Sequence, residues 1–109
     1  MIGYAVSTKL ENSFSRVAAQ NHGNYVGGLI GRVDGTSTLE NVYSTGIVAG
    51  GPASHGGLIG IIRTEITLLT LRNCYNCSPM VTSDISGCGA YVGFLQAAVP
   101  ISRLKLDNC

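Results

Sequence analysis

Two short motifs alternate along this chain, and their recurrence limits the fold more than any single residue does. The segment Tyr25-Val26-Gly27-Gly28-Leu29-Ile30-Gly31 returns as His55-Gly56-Gly57-Leu58-Ile59-Gly60 and, in weaker form, as Tyr91-Val92-Gly93-Phe94-Leu95, with Ile2-Gly3-Tyr4-Ala5 as a degenerate first copy. Between these stand Leu10-Glu11-Asn12-Ser13-Phe14, Leu39-Glu40-Asn41-Val42-Tyr43, Leu71-Arg72-Asn73-Cys74-Tyr75 and Leu106-Asp107-Asn108-Cys109. From Leu to the following glycine anchor the steps are 17 (10 to 27), 17 (39 to 56) and 22 (71 to 93), which predicts a five-residue insertion in the third unit. From glycine to the next Leu the steps are 7, 12, 15 and 13, so that connection varies in every unit and reads as a surface turn or arm.

Within a unit the pattern favours strands. Leu39, Asn41 and Tyr43 alternate with Glu40 and Val42, and Gly46-Ile47-Val48-Ala49-Gly50 is a short β-branched run between glycines. Three short strands per unit are expected, of the type Thr38–Ser44, Ile47–Ala49 and Gly57–Ile62. A single unit, such as the stretch from Leu10 to Leu39, cannot close a core alone, so units must stack. The predicted fold is all-β, a parallel β-solenoid of three to four coils. Residues 1–109 form one repeat domain: a partial coil at 1–6, units at 7–35, 36–66 and 67–101, and a partial unit at 102–109.

Stacking places equivalent residues ~4.8 Å apart in columns. Leu10, Leu39, Leu71 and Leu106 make an aliphatic column, and Phe14, Tyr43 and Tyr75 an aromatic one. Asn12, Asn41, Asn73 and Asn108 make an amide ladder in which each NH2 donates to the next carbonyl. A buried amide left unpaired costs ~1–3 kcal/mol, so such a ladder holds only where it continues. Gly27, Gly56 and Gly93 mark turns that need positive φ or close backbone approach.

The combination of Gly-Gly-Leu-Ile-Gly with Leu-Glu-Asn-Val-Tyr-Ser-Thr-Gly-Ile-Val-Ala-Gly resembles the GLUG repeat, most closely over 25–60 and 71–78. The resemblance weakens at Gly93–Ala97, where Gln96 and Ala97 replace the Ile-Gly ending. It implies a glycine-rich unit of bacterial and protist surface proteins, including stalk regions of IgA-cleaving metallopeptidases. The His-Glu-x-x-His zinc motif of those peptidases is absent, so the resemblance carries over a scaffold and no catalysis.

Composition narrows the partners. With 45% hydrophobic residues the chain can offset its ordering entropy and should fold. Seven Lys/Arg against six Asp/Glu, without a basic run, leave no footprint for a nucleic-acid backbone or an anionic membrane. The longest apolar run, 58–62, is far short of the ~18 residues of a membrane span. Met1-Ile2-Gly3-Tyr4 lacks the basic and apolar regions of a signal peptide.

Candidate chemistry is sparse, and no cofactor is implied. Cys74, Cys77, Cys88 and Cys109 lack the second Cys-x-x-Cys of a zinc ribbon, which leaves disulfides as the better use outside the cell. Cys74 and Cys109 share a column one coil apart and are either bridged or small buried residues like Ser13 and Val42 there; a Cys77–Cys88 bridge would tie down the inserted arm. His22 and His55 sit at different offsets from their glycines and read as solvent-facing loop histidines. Glu11 and Glu40 share a column with Arg72 and Asp107, a solvated strand face and no glycosidase pair. Lys9 and Lys105 interrupt the row of Thr38 and Thr70, which excludes a flat threonine face. In Asn76-Cys77-Ser78 the following Pro79 disfavours glycosylation.

The expected function is a non-catalytic structural or adhesive module of an extracellular or cell-surface protein, able to stack end to end on neighbouring repeats or copies of itself. Arms 18–24, 51–55 and 80–88 would contact a protein or glycan. The alternative is a carbohydrate-binding or polysaccharide-cleaving module that uses a groove with Tyr25, Tyr43, Tyr75 and Tyr91.

Overall fold

A computed structural model of the chain describes residues 2–21, 24–50, 53–63, 68–82, 87–96 and 103–109. The first coil contains β1 (Ile2–Val6), β2 (Lys9–Glu11), β3 (Phe14–Ser15), β4 (Ala19–Asn21) and β5 (Tyr25–Gly27). The second repeats them as β6 (Ile30–Asp34), β7 (Thr36–Glu40), β8 (Tyr43–Ser44), β9 (Val48–Gly50) and β10 (Ser54–Gly56). The third follows as β11 (Ile59–Ile62), β12 (Leu68–Arg72), β13 (Tyr75–Asn76), β14 (Met80–Thr82) and β15 (Cys88–Gly89), and a fourth begins with β16 (Val92–Leu95) and β17 (Leu104–Asp107).

Each strand pairs in parallel with its counterpart one coil away, giving the sheets β1-β6-β11-β16, β2-β7-β12-β17, β3-β8-β13, β4-β9-β14 and β5-β10-β15. The fold is a parallel β-solenoid. Its shortest extent, 21 Å, fits four layers spaced ~4.8 Å apart. No helix among the described residues is long and apolar enough to cross a membrane.

A coil has five strands where three were expected: one extra strand is Ser54–Gly56, within the expected arm 51–55, and the other comes from the asparagines. Asn12, Asn41, Asn73 and Asn108 have φ of 48, 53, 50 and 54°, a left-handed conformation that asparagine tolerates better than most side chains do. Each turns the chain through a corner, so Thr38–Ser44 is split into β7 and β8. The amide ladder forms: Asn41 Nδ2 donates to Asn12 Oδ1 at 3.0 Å, Asn73 to Asn41 at 3.0 Å, and Asn108 to Asn73 at 2.8 Å. It runs along an exposed edge, however, and so it serves the corners more than any buried amide.

The glycine register differs from the expected one. Gly27 pairs with Gly56, and Gly56 with Gly89, not with Gly93. A Cβ at these three positions would lie 2.0 Å from Ile30 O, 1.7 Å from Ile59 O and 1.9 Å from Val92 O, because the chain doubles back on itself three residues later. Gly93 belongs with Gly60, since Ile59 pairs with Val92 and Ile61 with Phe94. There the constraint is a neighbouring strand: a Cβ on Gly60 would meet Val26 N at 2.8 Å, and one on Gly93 would meet His55 N at 2.7 Å.

Tyr91-Val92-Gly93 therefore repeats the letters of Tyr25-Val26-Gly27 but not their place. Tyr91 continues the column of Leu29 and Leu58, with Leu29 N donating to Leu58 O and Leu58 N to Tyr91 O. The step from Leu71 to the true anchor Gly89 is 18, against 17 in the other units, so the five-residue insertion shrinks to one. The remaining extra length lies between β11 and β12 and between β16 and β17.

The core fills the coil interior. Ile30, Val33, Leu39, Val42, Leu58, Ile59, Ile62, Leu69 and Leu71 are fully buried and belong to one cluster with Ala5, Leu29 and Cys74. Leu10, Leu39, Leu71 and Leu106 pair in register as a column.

Candidate functional site

The solenoid carries two unlike outer faces. On the sheet β2-β7-β12-β17, Glu11, Glu40, Arg72 and Asp107 are in register. Arg72 lies between two acids, 3.7 Å from Glu40 and 3.3 Å from Asp107, and Lys9 pairs with Glu11 at 2.8 Å. These pairs lie in water, which screens them and leaves them little to contribute; this is the solvated face the sequence implies.

The opposite character belongs to the two sheets β3-β8-β13 and β4-β9-β14. Across residues 13–21, 42–50 and 74–82 the single charged side chain is Arg16. Phe14, Tyr43 and Tyr75 stack on this face with centroids 5.1 and 4.7 Å apart and planes within 7° and 5°. Arg16 lies 5.1 Å from the centroid of the Phe14 ring. Val17, Ile47 and Val81 are exposed on the same stretch of surface.

This arrangement bears on sugar binding, because a sugar packs on the face of a ring while both faces of Tyr43 and one face each of Phe14 and Tyr75 are taken up by the stack. Nor are the four tyrosines brought together. Tyr43 and Tyr75 are in the ladder, Tyr25 is at the start of β5, and Tyr91 packs against the core. A concavity between β1, β4 and β5, lined by Ile2, Ala19, Gln20 and Tyr25, measures ≈ 200 Å³, below the ~300–1,000 Å³ of ligand pockets.

Sequence reasoning missed a polar knot at the end of β6. Asp34, buried, accepts from Tyr4 Oη at 2.6 Å and from Arg32 Nη2, and the Arg32 guanidinium lies 4.6 Å from the Tyr4 ring centroid. Burial pushes the Asp34 carboxyl up, but hydrogen bonds from Arg32 and Tyr4 outweigh it and hold the group below its ordinary value. The signal was available: Tyr4 pairs with Arg32 one coil away, which the repeat period reveals once its register is known.

His55 is buried, correcting the solvent-loop expectation, and neither ring nitrogen has a hydrogen-bond partner among the described residues. It sits in β10 between Val26 and Cys88, while its neighbour Ser54 projects to the other side of the strand. His22 lies outside the described residues.

The four cysteines are free thiols, Cys74 buried and Cys77, Cys88 and Cys109 exposed, so no predicted bridge is present. Cys77 lies just past β13, outside any strand, whereas Cys88 opens β15. Among the described residues no three His, Cys, Asp or Glu side chains converge to hold a metal ion. Asn76 Oδ1 accepts from Ser78 N at 3.1 Å, and its amide fills the space a Gly57 Cβ would need, so the sequon is engaged in packing.

The expected arms are shorter than drawn. Residues 19–21, 54–55 and 80–82 are strand, leaving 22–24, 51–53 and 83–87 as connections. The strands that flank all three belong to the sheets of β4 and β5. Of those connections only Asn24, Ala53 and Gly87 are among the described residues.

No curated protein and no solved structure matches the chain. A family model described as the GLUG motif matches residues 22–49, from the connection before β5 through the glycine reversal, β6, β7, the Asn41 corner and β8 to β9. The matched stretch is as long as the step from Ile2 to its partner Ile30, so the GLUG motif in this chain is one turn of a parallel β-solenoid.

Proposed function

We propose that the chain is a non-catalytic spacer and adhesive module of an extracellular or cell-surface protein. The observation that carries this reading is the division of labour within each coil. Leu, Asn, aromatic and glycine columns keep strict register from coil to coil, while the segments 22–24, 51–53 and 83–87, each flanked by strands of the same two sheets, differ in sequence. A scaffold whose variable segments leave from and return to stacked strands is suited to presenting a contact edge to a protein or glycan. The match to the GLUG motif supports the repeat character of the module. Outer strands whose backbone groups can continue the same parallel pairing suit a neighbouring repeat or another copy as the axial partner.

Duplication tests this directly. A second copy of residues 30–58 inserted after Leu58 should fold, lengthen the particle by one layer of ~4.8 Å and raise the urea midpoint, because each repeat adds an interface. Replacing 51–53 by Gly-Ser-Gly should leave the midpoint nearly unchanged while altering adhesion to immobilised mucin. Failure of the duplicated chain to fold would refute the modular reading; unaltered adhesion after exchange of all three connections would refute the contact edge.

A further inference from the structure

We propose that Cys74 and Cys109 form a dithiol site that exchanges with low-molecular-weight disulfides and staples the fourth coil to the third. The register places them opposite each other. Leu69 through Arg72 pair in sequence with Leu104 through Asp107, Asn73 N donates to Asp107 O at 2.9 Å, and Asn108 Nδ2 donates to Asn73 Oδ1 at 2.8 Å. The residue after each of these corner asparagines, just past the end of its strand, is a cysteine.

Their thiols make equivalent contacts one layer apart. Cys74 Sγ–H is 3.2 Å from Arg72 O and 3.5 Å from Leu39 O, and Cys109 Sγ–H is 3.5 Å from both Asp107 O and Leu71 O. In each case the acceptors are the carbonyl two residues back and that of the Leu column one coil away. Stacked parallel positions ~4.8 Å apart lie inside the ~4.4–6.8 Å range of Cα separations that a disulfide spans. Cys77, outside any strand, and Cys88, in β15, share no such register.

The two thiols differ in access, and this orders the chemistry. Exposed Cys109, as thiolate, attacks one sulfur of glutathione disulfide; a Cys109–glutathione bond forms and one glutathione thiolate leaves. Cys74 then loses its proton to solvent, attacks Cys109 Sγ and expels the second glutathione thiolate. Two protein thiols are oxidised, one glutathione disulfide is reduced, and the departing thiolates take up the protons. Burial, and then the adjoining Cys109 thiol, push Cys74 up to about 11, so this second step is the slow one and quickens as pH rises.

The test uses the full chain carrying Cys77→Ser and Cys88→Ser, equilibrated with glutathione redox buffers near pH ~8.5, the ordinary thiol pKa, in native buffer and in urea. Acid quenching, alkylation and tryptic mapping under non-reducing conditions follow. Expected is an intramolecular link between the peptide 73–103 and the peptide 106–109, formed at least about tenfold more favourably in native buffer than in urea, a ratio worth ~30 mV. Adding Cys74→Ser should abolish the link and trap the Cys109–glutathione mixed disulfide. Equal formation in urea and native buffer, a link only between chains, or no link at all would overturn the proposal. So would a wild-type chain that bridges Cys77 to Cys88 and leaves Cys74 and Cys109 alkylated.

Discussion

Substituting Gly56 by alanine should unfold the coil where the same change at Gly3 does nothing. A Cβ on Gly56 would stand 1.7 Å from Ile59 O and 2.6 Å from both Ile59 C and Gly93 N, all of them backbone atoms that no rotamer change can move aside. Relief requires opening the reversal between β10 and β11 by more than an ångström. That endangers the bonds from His55 N to Gly87 O and from Gly57 N to Gly89 O, each 3.0 Å long. Overpacking of this kind costs ~1–3 kcal/mol and each buried hydrogen bond lost adds ~1–3, so the expected penalty is about 4 kcal/mol or more. Gly89→Ala should behave alike, since its Cβ would meet Val92 O at 1.9 Å. Gly3 has nothing within 4 Å, so Gly3→Ala should be neutral or stabilise by ~0.4–1 kcal/mol. Urea titration at constant m-value compares the three, and a chain already unfolded without urea counts with the predicted outcome. Gly56→Ala within ~1 kcal/mol of Gly3→Ala would refute the close reversal.

Other perturbations probe the rest of the coil. Asn41→Ala loses two ladder bonds and puts alanine, which lacks asparagine's tolerance of the left-handed region, at φ 53°, for an expected loss of ~2–4 kcal/mol in a urea titration, of which Asn41→Gly should restore about half by relieving the backbone. Asp34 titrates below its ordinary value in the folded chain, so its contribution is complete above the unfolded carboxylate pKa of ~3.9 and fades as pH falls through the lower folded value; Asp34→Asn should cost ~1–3 kcal/mol at neutral pH and flatten the acid limb of the stability–pH curve. His55→Leu removes two buried, unpartnered ring nitrogens and should raise stability by ~1 kcal/mol in the same assay, where a loss above that would show the imidazole is bonded in solution.

The aliphatic, aromatic and asparagine columns were legible in the sequence because each is a single residue type recurring at one distance from its neighbours. The corners were not, since alternation across Leu39, Asn41 and Tyr43 describes a continuous strand equally well, and only the left-handed φ of Asn41 breaks it. Gly93 was misplaced because letter similarity favoured Tyr-Val-Gly over Gly-Cys-Gly, whereas the geometry asks only for a glycine three residues before the next strand's first carbonyl. Ala90 is instructive in the corrected register. It takes the place of Gly28 and Gly57, whose Cβ atoms would meet Gly57 O at 2.2 Å and Ala90 O at 2.0 Å on the next coil, and no described strand lies above Ala90. The burial of His55 follows from that same register and could not precede it. The Tyr4–Arg32–Asp34 knot needed the pairing of Tyr4 with Arg32, a relation between coils that no local motif announces.

Hydrogen-bond scalar couplings in a uniformly 15N,13C-labelled chain measure the stacking register without perturbing it. The parallel solenoid predicts transfer from Gly28 N–H to the Gly56 carbonyl, from Gly57 N–H to the Gly89 carbonyl and from Leu58 N–H to the Tyr91 carbonyl. Couplings from Gly57 to the Gly93 carbonyl, or bonds confined within single units, would contradict it.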